Sequence, residues 1–406
     1  MSQESGRGSG NRPALTRLTS IPTDEFADDY WGSRPLLSPG QGDFSDLFSL
    51  AAADELVATR GIRTPFVRMA MEGTLLDASR YTSPGGFGAE VGDQLDSAKV
   101  LAEFAAGATL VLQGLHRTWA PIADFTRALS AELAAPAQVN AYITPASSRG
   151  FDPHYDVHDV FVIQIHGQKH WTIHEPVHED PLRDQPWSDH ADAVAAKASG
   201  APAIDATFSP GDVLYLPRGW IHSATALGGT SIHLTIGVNA LTRWNIVQRL
   251  VALAATDPGL RGSLPLGTDY SDAATLSDLI ADTSSRLAHT VAAADATAVA
   301  RGLATTLATS ARAEPVSPLA TIESLAGLSA EAVVSWRAGL GTRIDVANDV
   351  RIVGAKTIPL PIEAAEAVRA LALGDEFTAG ALPGLDPDSS IVVTRRLLRE
   401  GVLVLR

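Results

Sequence analysis

The sequence predicts an α+β protein built around a double-stranded β-helix, or jelly roll, with a helical region and a winged-helix-like domain behind it. Three observations lead to this prediction. About eight short β-rich segments, separated by proline or glycine, lie between residues 138 and 239. Apolar residues follow a helical period both before and after them. The chain ends on a predicted helix, a glycine and a short apolar strand, as winged-helix-like modules do.

The segment before the jelly roll is predicted to be mostly helical. Residues 1–14 are polar and rich in glycine, and we expect them to be disordered. A catalytic domain is predicted for residues 15–240. Apolar residues at helical spacing predict helices at 23–31, 45–60, 95–106 and 119–133, and β-rich runs predict strands at 63–71 and 109–113.

The jelly roll is predicted from short segments rich in β-branched and aromatic residues. The predicted strands are 138–144, 151–156, 160–166, 170–174, 206–208, 213–216, 220–224 and 231–239. A polar, acidic segment at 175–203 interrupts them. Its composition fits either a lid or a surface loop, and the sequence leaves both interpretations open.

Beyond residue 240 the period becomes helical again. In the region 241–314, helices rich in Ala and Leu are predicted at 244–255, 274–288 and 293–312, and they serve either as core packing or as a dimer interface. The predicted winged-helix-like domain, 315–406, has a linker at 315–318, helices at 330–338, 362–373 and 390–400, and strands at 343–345 and 349–353. We expect no direct DNA binding, because charges are nearly balanced there and no basic stripe marks a recognition helix.

Composition excludes several classes of protein. The formal net charge of −15 argues against nonspecific nucleic-acid binding; it suits a basic partner, although solubility explains it equally well. The chain has no cysteine, which excludes disulfides and thiolate ligands and fits a reducing, cytoplasmic location. Without a long uncharged apolar run or an apolar segment near the N-terminus, we expect neither a membrane helix nor a signal peptide.

A metal site is predicted from two motifs. His154 and Asp156 form a His-x-Asp pair, and residues two apart on a strand point to the same face. The segment from Gly211 to His222 is more specific: it reads Gly, five residues, Pro-x-Gly, two residues, His, which is the second cupin motif. Its turns present His222 on the next strand.

Two histidines and one carboxylate are the facial triad of non-haem Fe(II) oxygenases, which leaves coordination positions open. His154, Asp156 and His222 are therefore the predicted metal ligands and catalytic residues. The alternative interpretation is a histidine of the core. Mn²⁺, Ni²⁺ or Zn²⁺ suit the same ligands, and iron is favoured because positions stay open.

The segments 140–171, 217–222 and 231–236 closely resemble the JmjC-type ribosomal oxygenases of the cupin-4 group, which are Fe(II)- and 2-oxoglutarate-dependent protein hydroxylases. Their layout of jelly roll, dimerisation helices and winged helix is similar as well. The resemblance implies that the metal is Fe(II), that 2-oxoglutarate is the cosubstrate and that O₂ is the oxidant. It implies that the three predicted ligands hold the iron, and that the residues binding the cosubstrate are Lys169, Asn140, Tyr142 and Thr235.

Lys169 has independent chemical support, because a dicarboxylate in a pocket needs a buried cation opposite its distal carboxylate. The alternative is a surface lysine in a hairpin. One position departs from the family: relatives carry a serine two residues beyond Thr235, where this chain has Gly237. His158 and His233 are predicted as partners of the ligands or as substrate contacts, and His158 as a competing ligand if the chain stays extended.

The resemblance implies hydroxylation of an Arg or His side chain of a ribosomal protein by a homodimer. Two alternatives remain open. The same iron site could act on a small molecule, or the protein could be a non-catalytic, metal-binding cupin that serves as a sensor or scaffold. The combination of Lys169 with the triad argues against the scaffold, which does not need a cation for a cosubstrate.

Overall fold

The computed structural model describes residues 12–146, 148, 151–310 and 312–406. The chain divides into two compact units, residues 1–240 and 241–406. Most of the segment predicted to be disordered, 1–11, lies outside the described residues. The prediction is wrong for Pro13 and Ala14, which begin a helix. The backbone N–H groups of Ala14 and Leu15 donate to the carboxylate of Glu132 at 3.0 and 2.8 Å, which satisfies the free donors of a helix start.

The four helices predicted before the jelly roll form close to their predicted positions, and short helices at Pro13–Thr16 and Leu115–Thr118 were not predicted. The helix predicted at 45–60 begins later, because Ser49 caps it by accepting from the N–H of Ala52. The helix predicted at 23–31 forms in two parts, a short α-helix, Thr23–Glu25, and a π-helix, Phe26–Tyr30. The α-helices are α1 Pro13–Thr16, α2 Thr23–Glu25, α3 Leu50–Thr59, α4 Ser97–Ala105, α5 Leu115–Thr118, α6 Ala120–Leu133 and α7 Ala191–Ala198.

The strands of this unit form one nine-stranded sheet and a small two-stranded one. The large sheet has the order β1-β10-β8-β11-β7-β6-β2-β3, with β9 paired to β8, and β4 pairs with β5. The strands are β1 Leu36–Ser38, β2 Val67–Met71, β3 Thr74–Leu75, β4 Thr82–Ser83, β5 Gln94–Leu95, β6 Thr109–Leu112, β7 Ala137–Thr144, β8 Asp159–His174, β9 Ile204–Phe208, β10 Val213–Leu216 and β11 Ile221–Val238.

Two pairs of predicted strands are single long strands. The segments 160–166 and 170–174 belong to β8, and 220–224 and 231–239 belong to β11, so the turn expected at Gly167 does not separate two strands. Gly167 has φ +63° and bends β8, while the register shifts between Leu227 and Ile232 on the paired strand. The bulge in β11 thus accommodates the bend in β8, and the two strands are paired on either side of the bulge.

The strand predicted at 151–156 is absent from the described structure. This segment makes only an isolated bridge, in which His154 N donates to His222 O at 3.2 Å and His222 N donates to His154 O at 2.8 Å. Pro153 lacks an N–H, which disfavours regular pairing. The expectation that His154 and Asp156 share a strand face is therefore wrong, and an irregular segment positions them.

The 175–203 segment packs against the chain around the predicted ligands. It contains a 3₁₀ helix, Trp187–His190, and helix α7, whose Val194 packs with Tyr155 and Ile221 in a small apolar cluster. The hydroxyl of buried Tyr155 donates to the Gln185 carbonyl at 3.1 Å. The segment is anchored by these contacts and is more than a surface loop.

The second unit contains a helical part and a mixed part. One prediction fails: 330–338 is not a helix but contains strand β12, whose Val333 and Val334 favour a strand. The helices are α8 Arg243–Ala254, α9 Pro258–Arg261, α10 Ala273–Ala292, α11 Ala296–Ser310, α12 Pro318–Ala326, α13 Ala365–Ala372 and α14 Pro387–Arg399. The strands are β12 Val333–Trp336, β13 Arg343–Val346, β14 Val350–Val353, β15 Thr357–Leu360, β16 Glu376–Thr378 and β17 Leu403–Leu405.

The mixed part has two three-stranded sheets, with the orders β16-β12-β17 and β13-β14-β15. Strands β15 and β16 were not predicted. Buried residues of α13, α14 and both sheets form one apolar core, which includes Val334, Ile352, Leu371 and Leu397. In the described parts of the chain, no helix combines the length and the apolarity that crossing a bilayer requires.

Candidate active site

The three predicted ligands converge in the first unit. One ligand atom from each of His154, Asp156 and His222 lies within 4.8 Å of the others. The backbone bridge between the two histidines sets their separation, and their rings lie 4.4 Å apart between centroids. Asp156 is tied to the second motif, because its carbonyl accepts from Gly219 N at 3.0 Å. The bridge and this bond join the two motifs at the site.

Gly219 has a backbone conformation that L side chains rarely adopt. Its φ is +88°, and a Cβ added there would lie 2.8 Å from the His178 carbonyl oxygen. Glycine at this position of the Pro-x-Gly turn lets the chain pass close to the 175–203 segment and then enter β11 at His222. The motif's glycine therefore has a steric reason.

Backbone carbonyls determine the tautomer of both histidine ligands. Nδ1 of His154 lies 2.7 Å from the Asp152 carbonyl oxygen, and Nδ1 of His222 lies 3.1 Å from the Trp220 carbonyl oxygen. A carbonyl oxygen only accepts, so each Nδ1 carries a proton and each Nε2 keeps its lone pair. Nε2 of His222 lies 3.7 Å from an Asp156 oxygen. This arrangement of an oriented imidazole with a free Nε2 is typical of metal-binding histidines.

The pKa values of His222 and Asp156 keep the imidazole neutral and the carboxylate ionised at neutral pH. Burial, and then the nearby imidazole of His154, lower the pKa of His222 to about 4. Burial acts to raise the pKa of Asp156, but the imidazoles of His222, His158 and His154 outweigh it, and the pKa is lowered. At pH 7 a neutral imidazole and an ionised carboxylate therefore face each other, which is the protonation state that metal binding needs. Two nitrogens and one carboxylate fit Fe(II) and leave positions for further ligands.

A cavity that opens to solvent is lined by the three predicted ligands. Lys169 lines it and is only 3% exposed, so the surface-lysine interpretation is wrong. Its Nζ donates to the Thr144 hydroxyl at 3.2 Å, and in the described structure no carboxylate forms an ion pair with it. Burial lowers the pKa of Lys169 to about 7. A buried ammonium group without a counter-ion fits a carboxylate ligand.

The other predicted cosubstrate residues separate into two groups. Tyr142 and Thr235 line the cavity, on the paired strands β7 and β11. Asn140 is not among the lining residues: its side-chain oxygen accepts from Gly114 N at 3.0 Å, and it hydrogen-bonds to Tyr142. Asn140 therefore does not line the cavity itself; it hydrogen-bonds to Tyr142, which does. The ring of His233 stacks on that of Tyr142 at 5.0 Å.

Comparisons with known proteins show a domain match around this site. Residues 116–246 match the family model of the JmjC domain. The chain carries a JmjC domain in this region. The human protein "Ribosomal oxygenase 1" is 28% identical over 265 residues, covering 63% of this chain and 39% of that protein. Mouse "Ribosomal oxygenase 2" is 37% identical over 134 residues, covering 31% of this chain and 27% of that protein.

The chain spans less than half the length of the curated relatives it matches. Among solved structures, Escherichia coli ycfD matches with a TM-score of 0.57 at 20% identity, covering 96% of this chain and 99% of ycfD. The same E. coli protein with cobalt and 2-oxoglutarate gives a TM-score of 0.53 at 17% identity, with the same coverage. The fold of the JmjC and cupin proteins, with mixed helix and sheet, is thus confirmed, as is the resemblance that the motifs predicted.

Several residues around the JmjC cavity were not predicted. Trp171, Thr109 and Phe151 line it, and the guanidinium of Arg68 lies 5.7 Å from the Phe151 ring. Alternation along β8 is a signal that finds Trp171, because it lies two residues beyond Lys169 and points to the same face. Arg68 and Thr109 come from β2 and β6, whose place beside the site follows only from the strand order.

His158 is outside the ligand cluster of the JmjC domain and occupies the space over Gly237. A Cβ added at Gly237 would lie 2.9 Å from His158 Cε1 and 3.3 Å from Gln138 Cγ. Because Gly237 has no side chain, this chain has room there for the imidazole of His158. The departure at Gly237 and the histidine at 158 are therefore two parts of one packing arrangement.

We expect Gly237→Ala to destabilise the JmjC domain by about 1–3 kcal/mol, because the added methyl group overlaps the His158 ring. Urea unfolding measures the loss. The control is a double-mutant cycle with His158→Ala, in which removal of the ring should make the change at Gly237 close to neutral. Equal losses in both backgrounds would contradict this packing.

Proposed function

We propose that the protein is an Fe(II)- and 2-oxoglutarate-dependent oxygenase that hydroxylates a protein side chain. The observation that carries the proposal is that a buried lysine without an acidic partner lies in the same cavity as a His-Asp-His cluster. When bound, Fe(II) and 2-oxoglutarate supply the chemistry: they activate O₂, and a C–H bond is hydroxylated while 2-oxoglutarate becomes succinate and CO₂.

In this proposal each part of the cavity has one task. His154, Asp156 and His222 hold the metal through two nitrogens and one carboxylate oxygen. Lys169 neutralises the distal carboxylate of 2-oxoglutarate, which orients the cosubstrate. The aromatic rings of Phe151 and Trp171 cover the walls and exclude water. Tyr142 and Thr235 contribute hydroxyls beside the cosubstrate.

The proposed substrate is an Arg or His side chain of a ribosomal protein. The names of relatives support this class: "Ribosomal oxygenase 1" in humans and "Bifunctional lysine-specific demethylase and histidyl-hydroxylase NO66" in Drosophila pseudoobscura pseudoobscura. The net charge of −15 suits a basic client, because opposite charges speed association. A cytoplasmic location remains a prediction.

The test is to incubate the full chain with Fe(II), 2-oxoglutarate, O₂ and an extract of unmodified ribosomal proteins. We expect succinate, and a mass gain of one oxygen on an Arg or His of one protein, found by peptide mass spectrometry. A reaction without 2-oxoglutarate is the control. Succinate formation with free amino acids but never with proteins would favour the small-molecule alternative, and a chain that binds metal but not 2-oxoglutarate would be a scaffold.

We also propose that residues 241–314 form a dimerisation region. Helix α8 buries only Ala254, although it carries four large exposed apolar side chains, and α10 adds exposed Ile280. A second copy of the chain is the partner that the family layout favours. The exposed residues of α8 are Trp244, Ile246, Val247 and Val251.

We expect Val251→Asp to convert the dimer into a monomer, because it places a charge within this apolar surface. Analytical ultracentrifugation measures the change. Leu101→Asp is the matched control, since Leu101 is also an exposed apolar side chain of a helix, α4 in the first unit. A monomeric wild type, or a variant that stays dimeric, would contradict the proposal.

Residues 315–406 are proposed to form a winged-helix-like domain that contacts protein. The order of α13, β16, α14, Gly401 and β17 supports this assignment. The basic residues near the end of α14 are partly neutralised: Arg396 pairs with Glu400 at 3.0 Å, and Lys356 contacts the same carboxylate. This neutralisation favours a structural or protein-binding role over direct DNA binding.

A further inference from the structure

Two buried ring nitrogens close to Lys169 have no hydrogen-bond partner among the described residues. The indole Nε1 of Trp171 is buried, and no described residue is its hydrogen-bond partner. The ring atom Nδ1 of His233 is buried and unpartnered as well. Buried donors are nearly always satisfied, so an unsatisfied N–H on a residue that lines a cavity points to a ligand as the missing acceptor.

The side chains of Lys169 and Trp171 line the same cavity. Lys169 and Trp171 alternate on β8 and both line the cavity, with Nζ 5.9 Å from the indole centroid. Trp171 is held in place by its neighbours: it stacks on Phe208 at 5.8 Å and meets the His233 ring edge to face at 5.2 Å. The indole is 4% exposed, so its orientation is determined by packing.

We propose that Trp171 is a cosubstrate-binding residue whose Nε1 donates a hydrogen bond to the carboxylate that Lys169 neutralises. A carboxylate has two oxygens with several lone pairs, so it accepts from an ammonium group and an indole N–H together. The inference rests on the proposed function, because the ligand is the distal carboxylate of 2-oxoglutarate. In this proposal the neutral indole N–H adds a hydrogen bond to the ionic contact between the carboxylate and Lys169.

The variant that isolates this hydrogen bond is Trp171→Phe, which removes the N–H and keeps an aromatic ring against Phe208 and His233. Binding is measured without turnover, by anaerobic titration of the Fe(II)-loaded chain with 2-oxoglutarate, following the visible charge-transfer band. We expect the Kd to rise about tenfold, as for the loss of one hydrogen bond. The Fe(II) affinity, measured separately, should not change.

A second probe distinguishes a direct contact from general damage. 2-Oxopentanoate has the same 2-oxo acid group as 2-oxoglutarate but a methyl group in place of the distal carboxylate. If Nε1 donates to that carboxylate, Trp171→Phe weakens 2-oxoglutarate and leaves 2-oxopentanoate unchanged. The control variant is Trp119→Phe, because Trp119 Nε1 donates to the Leu47 carbonyl at 3.0 Å and is not among the cavity-lining residues.

Each remaining outcome overturns the inference. An unchanged Kd for 2-oxoglutarate would show that the indole N–H makes no contact with the ligand. An equal loss for both 2-oxo acids would assign Trp171 a packing role only. If the wild type binds Fe(II) but not 2-oxoglutarate, the proposed function fails together with the inference, whereas the first two outcomes leave the proposed function intact.

Discussion

Replacing His222 by alanine is expected to weaken Fe(II) binding by about 100-fold or more and to abolish 2-oxoglutarate turnover. His222 supplies one of three ligand atoms, and its tautomer is set by the Trp220 carbonyl. Loss of a residue that merely orients a ligand costs about 10–100-fold in metal affinity, so loss of the ligand should cost more. Anaerobic titration with Fe(II), with and without 2-oxoglutarate, measures both effects.

The matched control is His158→Ala. His158 is an imidazole close to Asp156 but outside the ligand cluster, so its removal should leave Fe(II) bound. The fold around position 222 should survive His222→Ala, because the bridge between residues 154 and 222 uses backbone atoms only. If His222→Ala binds Fe(II) as the wild type does, or if His158→Ala loses as much affinity, the ligand assignment is wrong.

Replacing Lys169 by methionine is expected to raise the Kd for 2-oxoglutarate by about 100-fold and, at the same time, to stabilise the folded protein. The ammonium group is the buried cation proposed to meet the distal carboxylate, and a charged hydrogen bond contributes about 1.5–3 kcal/mol. Without ligand, however, this cation is buried, and among the described residues its only partner is the Thr144 hydroxyl. An apolar side chain of similar length removes the cost of burying it.

Two measurements separate these effects: titration of the charge-transfer band for affinity and thermal unfolding of the ligand-free chain for stability. Lys197→Met is the control, since Lys197 is a partly exposed lysine that pairs with Glu175 at 2.9 Å. It should change neither the Kd nor the midpoint by much. A Lys169→Met variant that binds 2-oxoglutarate normally would remove the main support for the proposed function.

The lowered pKa also predicts how the wild type responds to pH. Below its pKa of about 7, Lys169 is charged in the empty cavity, and 2-oxoglutarate binds without taking up a proton. Above that pH the lysine is neutral, so binding must bring a proton, and the Kd should rise by up to about tenfold per pH unit. In Lys169→Met this pH dependence should disappear.

Elements determined by local pattern were predicted well. The strand 213–216 lies between two turn motifs and has the predicted bounds in the structure. The amphipathic helix α6 ends at its predicted residue, 133. One failure depends on partners distant in sequence. A helix is predicted at 330–338, yet Val334 pairs with Phe377 and Leu405 in a sheet.

The candidate site shows the same division. The spacing of His-x-Asp and of the Pro-x-Gly-x₂-His motif was sufficient to select three residues that converge in the structure, although the strand expected to carry two of them does not form. The irregular segment at 151–156 still delivers His154, because its backbone bridges to His222. The convergence of these three residues was thus predictable, while the backbone arrangement that positions them was not.

By itself, the sequence determined the donor set, the buried lysine as a candidate and the family, because these depend on residue types at short spacings. Tertiary structure decided which polar groups find partners. Trp171 Nε1 has no hydrogen-bond partner among the described residues. The side-chain oxygen of Asn140 accepts from Gly114 N, and the His158 ring fills the space over Gly237. The physical reason is that burial and hydrogen bonding are set where β7, β8 and β11 pair, and short-range sequence patterns carry no record of those long-range contacts.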